Sequence, residues 1–132
     1  LRLRFAIEGN PIPWAAHKGY GKKSYNPRMK DRYRFQKQLT DQCKISPILS
    51  PIRLRFEFFM PIPKGTSIKN RALMLANIIK HTKRPDTTNM IKFTEDCLMG
   101  IILFDDSQNC EIVARKRYSD HPRTLIFITT LG

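Results

Sequence analysis

The stretch RPDTTNMIKFTEDCL (residues 84–98), followed by FDDSQN (104–109), gathers acid in a chain that has little elsewhere. Asp86, Glu95, Asp96, Asp105 and Asp106 are five of its eleven acidic residues. Thr87 or Thr88 is expected to cap a helix running to about Met99, with Gly100 as its stop. On that helix Asn89, Lys92 and Asp96 are spaced i, i+3, i+7 and share one face. Met90, Phe93 and Cys97 take a second face, expected to be core. IILF (101–104) is expected to be a buried strand ending at Asp105-Asp106. A helix followed by a returning strand would let Asp86 meet that acidic pair. Carboxylates beside a lysine in a basic protein point to divalent metal and phosphate chemistry. Mg²⁺ takes hard oxygen ligands, so two or three carboxylates from separate elements suffice. Lys92 would neutralise a phosphate or the charge that develops in reaction. Spacing alone leaves other readings open: Lys92 and Asp96 as a surface i, i+4 pair, and Asp105-Asp106 as a turn pair.

Working outward, LRLRFAIE (1–8) and IRLRFEFFM (52–60) alternate apolar and polar residues, as half-buried strands do. Asn26-Pro27 is expected to open a helix that runs to about Lys44, and Ser67 to cap another over residues 68–80. CEIVARKRY (110–118) and TLIFITT (124–130) read as further strands. The expectation is α+β: a single domain over residues 1–132, with a mixed sheet of about five strands and about three helices on one face. Sheet edges left unpaired would favour dimerisation.

A chain of 132 residues with 41% hydrophobic content supports one core. No run of eighteen apolar residues offers a membrane span. The net charge of +13 favours a polyanionic partner, nucleic acid ahead of a membrane surface. Eight Lys or Arg lie between Lys18 and Lys37, interleaved with Tyr20, Tyr25 and Tyr33. Lys18, Lys22, Lys23, Arg28 and Lys30 are therefore candidate DNA contacts, and Arg115, Lys116 and Arg117 form a second cluster. Alternation puts Lys116 on the face opposite Arg115 and Arg117. Trp14 is either core or a stacking platform for a base. His17, His81 and His121 are expected to be surface or phosphate-adjacent residues, not metal ligands. Cys43, Cys97 and Cys110 lack metal spacing and are expected to be reduced thiols in a cytoplasmic protein. The chain begins at Leu1 without a Met, so a short preceding segment is expected.

The order Arg84-Pro85-Asp86-Thr87-Thr88-Asn89, Lys92, Asp96, Leu98, Gly100, Asp105-Asp106-Ser107-Gln108 resembles the RusA family of Holliday-junction resolvases, and IEGNPIP (7–13) is similar to that family's opening strand and turn. The resemblance implies a homodimeric endodeoxyribonuclease that is Mg²⁺-dependent, with Mn²⁺ as a substitute. Such an enzyme resolves four-way branched DNA by paired phosphodiester hydrolysis in recombination and repair. It also implies a nucleoid-associated setting of bacterial or phage origin. Asp86, Lys92 and Asp106 match the catalytic positions. Asp86 and Asp106, with Asp105 beside it, match the metal-binding positions. Thr88, Asn89 and Asp96 stand in supporting places. The family motif usually carries a second aspartate where this chain has Thr88. A neutral hydroxyl there leaves open a degenerate member that binds branched DNA with little or no cleavage. A basic RNA-associated protein is a third reading.

Overall fold

The computed structural model describes all of residues 1–132. Its sheet has four strands: β1 (Arg2–Glu8), β2 (Ile52–Pro61), β3 (Asn109–Ser119) and β4 (Arg123–Thr130), in the order β1-β4-β2-β3. Strand β2 pairs parallel with β3, and the other two pairings are antiparallel. A parallel neighbour requires a crossover, and this one carries α2 (Ile68–Leu75) and α3 (Thr87–Leu98). The remaining helix, α1 (Met29–Gln42), lies between β1 and β2 in sequence and packs against β1 and α3. The α+β arrangement expected from the sequence is present.

The alternation in β2 decides which face of the sheet is covered. Ile52, Leu54, Phe56, Phe58 and Met60 are all buried, and Arg53 and Arg55 between them are exposed. Each such large side chain contributes roughly 1.5–3 kcal/mol when removed from water. Helix α3 presents Met90, Phe93, Cys97 and Leu98 to the same core, and α1 adds Phe35 and Leu39. Phe35 meets Phe93 edge-on, with ring centroids 5.7 Å apart and planes at 88°, an arrangement favoured by the ring quadrupoles. Glutamines one helical turn apart close the outer edge of β1. Gln42 bonds both the N–H and the carbonyl of Ala6, and Gln38 does the same for Glu8. That part of the sheet edge is thereby denied to another strand.

Some expected boundaries moved. The segment 101–104 is not a strand. The N–H groups of Ile101, Ile102 and Leu103 turn back to the Leu98 carbonyl, and Leu103 makes only isolated bridges to Ile48 and Met99. Ile102 and Leu103 are fully buried, which explains the apolar run without a ladder. Helix α1 starts at Met29 because the Asn26 side chain accepts from the Arg28 N–H, forming a local turn instead of a cap. Helix α2 stops at Leu75, with Asn77 at φ 58° beyond it. Gly100, at φ 80°, ends α3 as expected.

Candidate active site

Asp86, not Thr87 or Thr88, occupies the N-cap position of α3, and its side chain makes no capping bond. The carboxylate is exposed at the positive end of the helix, where negative charge is favoured. Two carbonyls hold the approach to it. The Lys116 ammonium donates to Lys83 O at 2.8 Å and to Pro85 O at 3.2 Å. Lys116 therefore braces the turn before Asp86 from the helix-covered side of the sheet. Arg115, on the opposite face, is exposed, and Arg117 is tied to the Leu75 carbonyl at 3.0 Å.

One turn into α3, the Lys92 ammonium lies 3.5 Å from the centroid of the Trp14 ring. Trp14 is half-buried against the core, and its backbone N–H donates to the Asn89 carbonyl at 2.9 Å. The segment after β1 thus crosses the exposed face of α3 and fixes Lys92 over an aromatic ring. Arg28 helps by donating to Pro13 O at 3.1 Å. Beyond Trp14, the chain carries Lys18, Lys22 and Lys23 on an exposed turn, with Lys18 bridged to Tyr25; Lys30 on α1 is exposed too.

Beside Asp86 is a cleft of about 690 Å³ whose lining includes Asn10, Trp14, His81, Lys83, Asn89 and Tyr118. His81 is buried and its ring lies 4.8 Å from that of Tyr118, with Nδ1 unpartnered. Burial, and then the Lys116 charge, pushes its pKa below the ordinary histidine value. The neutral form is the one the fold accepts. Stability is therefore complete above the unfolded pKa near 6.5 and declines as pH falls below it toward the depressed folded value. Replacing His81→Phe, which keeps a ring against Tyr118, is expected to reduce the fall in Tm between pH 7.5 and 5. An equal fall in both proteins would show that His81 does not titrate against the fold.

The other acidic group stands at the far end of α3. Asp105 caps the short turn Asp106–Gln108; its carboxylate accepts from the Ser107 hydroxyl, which holds its pKa below the usual carboxylate value. Gln108 ties this turn down, donating to Ile48 O and Ser50 O and accepting from the N–H groups of Phe104 and Asp105. Asp106 is the more exposed acid of the pair and bonds neither Ser107 nor Gln108, though its side chain approaches the Asp105 carboxylate and helps to lower that group's pKa. Half-buried Glu95 accepts from the Asn109 side chain. Burial raises its pKa against that bond, and the nearby Asp106 and Asp96 carboxylates raise it further. Spacing within the sequence does not single out Glu95 as a site residue; only the return of β3 beside α3 brings it to Asp106. The carbonyls of Asp96 and Cys97 are held by Arg32 and Gln36 of α1. Burial pushes the Cys97 thiol up to about 12, which leaves it inert as a nucleophile.

The expected meeting of Asp86 with Asp105-Asp106 does not occur within the chain. Asp86 lies before the first turn of α3 and Glu95, beside Asp106, near its last, which separates them by roughly 14 Å along the helix. The chain returns in β3 antiparallel to α3, so Asn109 meets the helix end and Lys116 its start. No three His, Cys, Asp or Glu side chains are close enough together to hold a metal ion. The donors are of the right kind for Mg²⁺, hard carboxylate oxygens, but one chain does not assemble them.

An exposed carboxylate stands at each end of α3, Asp86 at its start and Asp106 on the turn beyond it, with a lysine seated on tryptophan between them and a basic surface alongside, a set of groups suited to a polyanionic partner. A family profile described as "Endodeoxyribonuclease RusA" matches residues 8–129, nearly the whole chain, and the protein belongs to that family. It is also similar to a protein of Bacillus subtilis (strain 168) described as "Uncharacterized protein YqaN". The two are 25% identical over 134 residues, covering 96% of this chain and 94% of the other. No helix is long and apolar enough to cross a membrane.

Proposed function

We propose that this protein is a structure-selective endodeoxyribonuclease that resolves four-way DNA junctions as a homodimer, using Mg²⁺. The observation that carries the reading is the division of its acids between the two ends of α3, in a chain of the RusA family. A two-fold axis crossing α3 near its middle would bring the Asp86 end of one helix against the Asp106 end of the other. Each composite site would then contain Asp86 of one copy with the partner's Asp106, and Glu95 or Asp105 beside the latter. A bound Mg²⁺ would supply charge neutralisation at the phosphoryl oxygen and lower the pKa of an attacking water. Lys92 stands beside this site, fixed by Trp14, to neutralise charge that develops on the phosphate. Two such sites on one dimer would account for cutting both strands. Incubation with synthetic junctions in Mg²⁺ or Mn²⁺ tests the reading. Tight junction binding without any cleavage would overturn it.

That second outcome has a structural basis in Thr88, which is exposed in the first turn of α3 close to Asp86 and contributes no charge. A junction-binding protein with weak metal affinity follows if that position is indispensable. Thr88→Asp separates the possibilities. A carboxylate in the first turn is expected to add about 0.3–1 kcal/mol of stability through the helix dipole, whatever the metal does. It is also expected to lower the Mg²⁺ concentration needed for half-maximal cleavage. A higher Tm with unchanged Mg²⁺ dependence would show that position 88 does not face the metal.

A further inference from the structure

The face of the sheet turned away from α1 and α3 carries an arrangement that the proposed cleavage does not use, although its Arg117 reaches the Leu75 carbonyl of α2. Cross-strand register lays it out in rows. Arg4, Phe127, Arg55 and Val113 form one row, and Arg2, Thr129, Arg53 and Glu111 the next. Two further rows place Arg115 opposite Glu57, and put Arg123 and Arg117 on either side of Phe59. Seven arginines thus share the face with three glutamates, counting Glu8 at its corner, and no lysine stands on it. Arg55 lies 4.1 Å from the centroid of Phe127, and Arg123 4.0 Å from that of Phe59. Stacking of this kind holds the Arg55 guanidinium against the ring while its N–H groups stay available at the rim, whereas Arg123 already donates to the His121 carbonyl at 2.8 Å. Arg2, Arg53, Arg55 and Phe127 wall a hollow of about 300 Å³.

Such a face needs an occupant with negative charge. A second copy of the chain would set an excess of four positive charges against four more across a two-fold axis, which like-charge repulsion opposes. The arginine fork matches phosphate oxygens two at a time, and guanidinium planes also stack on bases. The Asp86–Asp106 helix lies on the other side of the sheet, so whatever binds here is a different segment from the one being cut.

We propose that the arginine face of the sheet binds the phosphodiester backbone of a second DNA segment, using Arg2, Arg4 and Arg55 around Phe127, with Arg53 held beside them by its ion pair to Glu111 at 2.5 Å. This rests on DNA being the partner, as in the proposed function, and does not depend on cleavage. The segment is another arm of the same junction.

The test is binding without divalent metal, where cutting plays no part. The affinities of a labelled four-way junction, a duplex matching one arm and a single strand are measured between 50 and 200 mM salt. Each lost phosphate contact on duplex DNA makes the slope of log K against log salt shallower by about 0.9. For Arg4→Gln/Arg55→Gln the slope is expected to become shallower by roughly 1.8, so the affinity lost over that salt range shrinks about 12-fold. An effect on the junction alone would support the second arm, and an equal effect on the single strand would overturn that assignment in favour of a separate strand. Unchanged slopes on all three probes, while Lys22→Gln/Lys23→Gln lowers them, would overturn the proposal. So would a photocrosslinker at Val113 that joins chain to chain in the absence of DNA. A protein that binds with the wild-type slope but never cuts would remove the nuclease reading and leave this one standing.

Discussion

Strand nicking is expected to return when Asp86→Asn and Asp106→Asn chains are co-expressed, although neither variant cuts by itself. Each homodimer of a single variant would lack one carboxylate in both composite sites. Removing a group that organises charge at the reacting phosphate costs about 10²–10³ in rate or more. In the mixed dimer the outcome differs between the two sites. One site receives both substitutions and is dead, whereas the other combines the intact Asp86 of one copy with the intact Asp106 of its partner. Random assortment makes about half of the dimers mixed, each with one working site. The product is a nicked junction, not a resolved one, because the paired cut needs both sites. The prediction follows from the roughly 14 Å along α3 that keeps these acids apart within a chain. Sites contained within one chain would give no recovery at any mixing ratio. A junction gel resolving nicked from doubly cut product, run on the mixture and on each variant, decides between the arrangements.

What was legible in the sequence is what periodicity controls. The alternation of β2 and the i, i+3, i+7 face of α3 follow from side-chain geometry within one element, and Ile52, Leu54, Phe56, Phe58, Met60, Met90, Phe93 and Cys97 are buried accordingly. IILF failed as a strand because four apolar residues state that they are buried and not how their backbone is paired. The N–H groups of Ile101, Ile102 and Leu103 bond the Leu98 carbonyl at the end of α3 in place of a ladder, and that of Phe104 bonds the Gln108 side chain. The site was legible in its residue types and not in its assembly. Asp86 at a helix start and Asp106 on a turn stand where expected, but their separation depends on the length of α3 and the direction of β3. Glu95 was invisible for the same reason: Asn109 and Asp106 approach it only through the parallel placement of β3 beside β2. Trp14 could be read as core or as a platform. Its ring packs against the core as the first reading has it, and Lys92 lies over the ring, a partner that neither reading named.

Lys92→Ala is expected to lower the cleavage rate by about 10²–10³ while leaving junction affinity within a fewfold of wild type. The argument rests on how little one ammonium adds to binding on a surface already rich in cations, and how much a fixed one adds where charge develops. Trp14 sets the second half of the expectation. An aromatic ring 3.5 Å from the ammonium restricts a side chain that would otherwise sample many rotamers. Its attraction for the cation is worth about 0.5–2 kcal/mol, which corresponds to roughly 2–30-fold in rate if all of it serves orientation. Trp14→Leu is expected to lose within that range in kcat, with a lower Tm because the ring also packs on the core. Trp14→Phe keeps a π face and is expected to lose less than Trp14→Leu at similar stability. The ordering Lys92→Ala, then Trp14→Leu, then Trp14→Phe, read in kcat and not in KM, is what a positioning residue produces. Equal losses in both Trp14 variants that track Tm alone would reduce Trp14 to packing. A Lys92→Ala protein that cuts normally would remove the lysine from the reaction altogether.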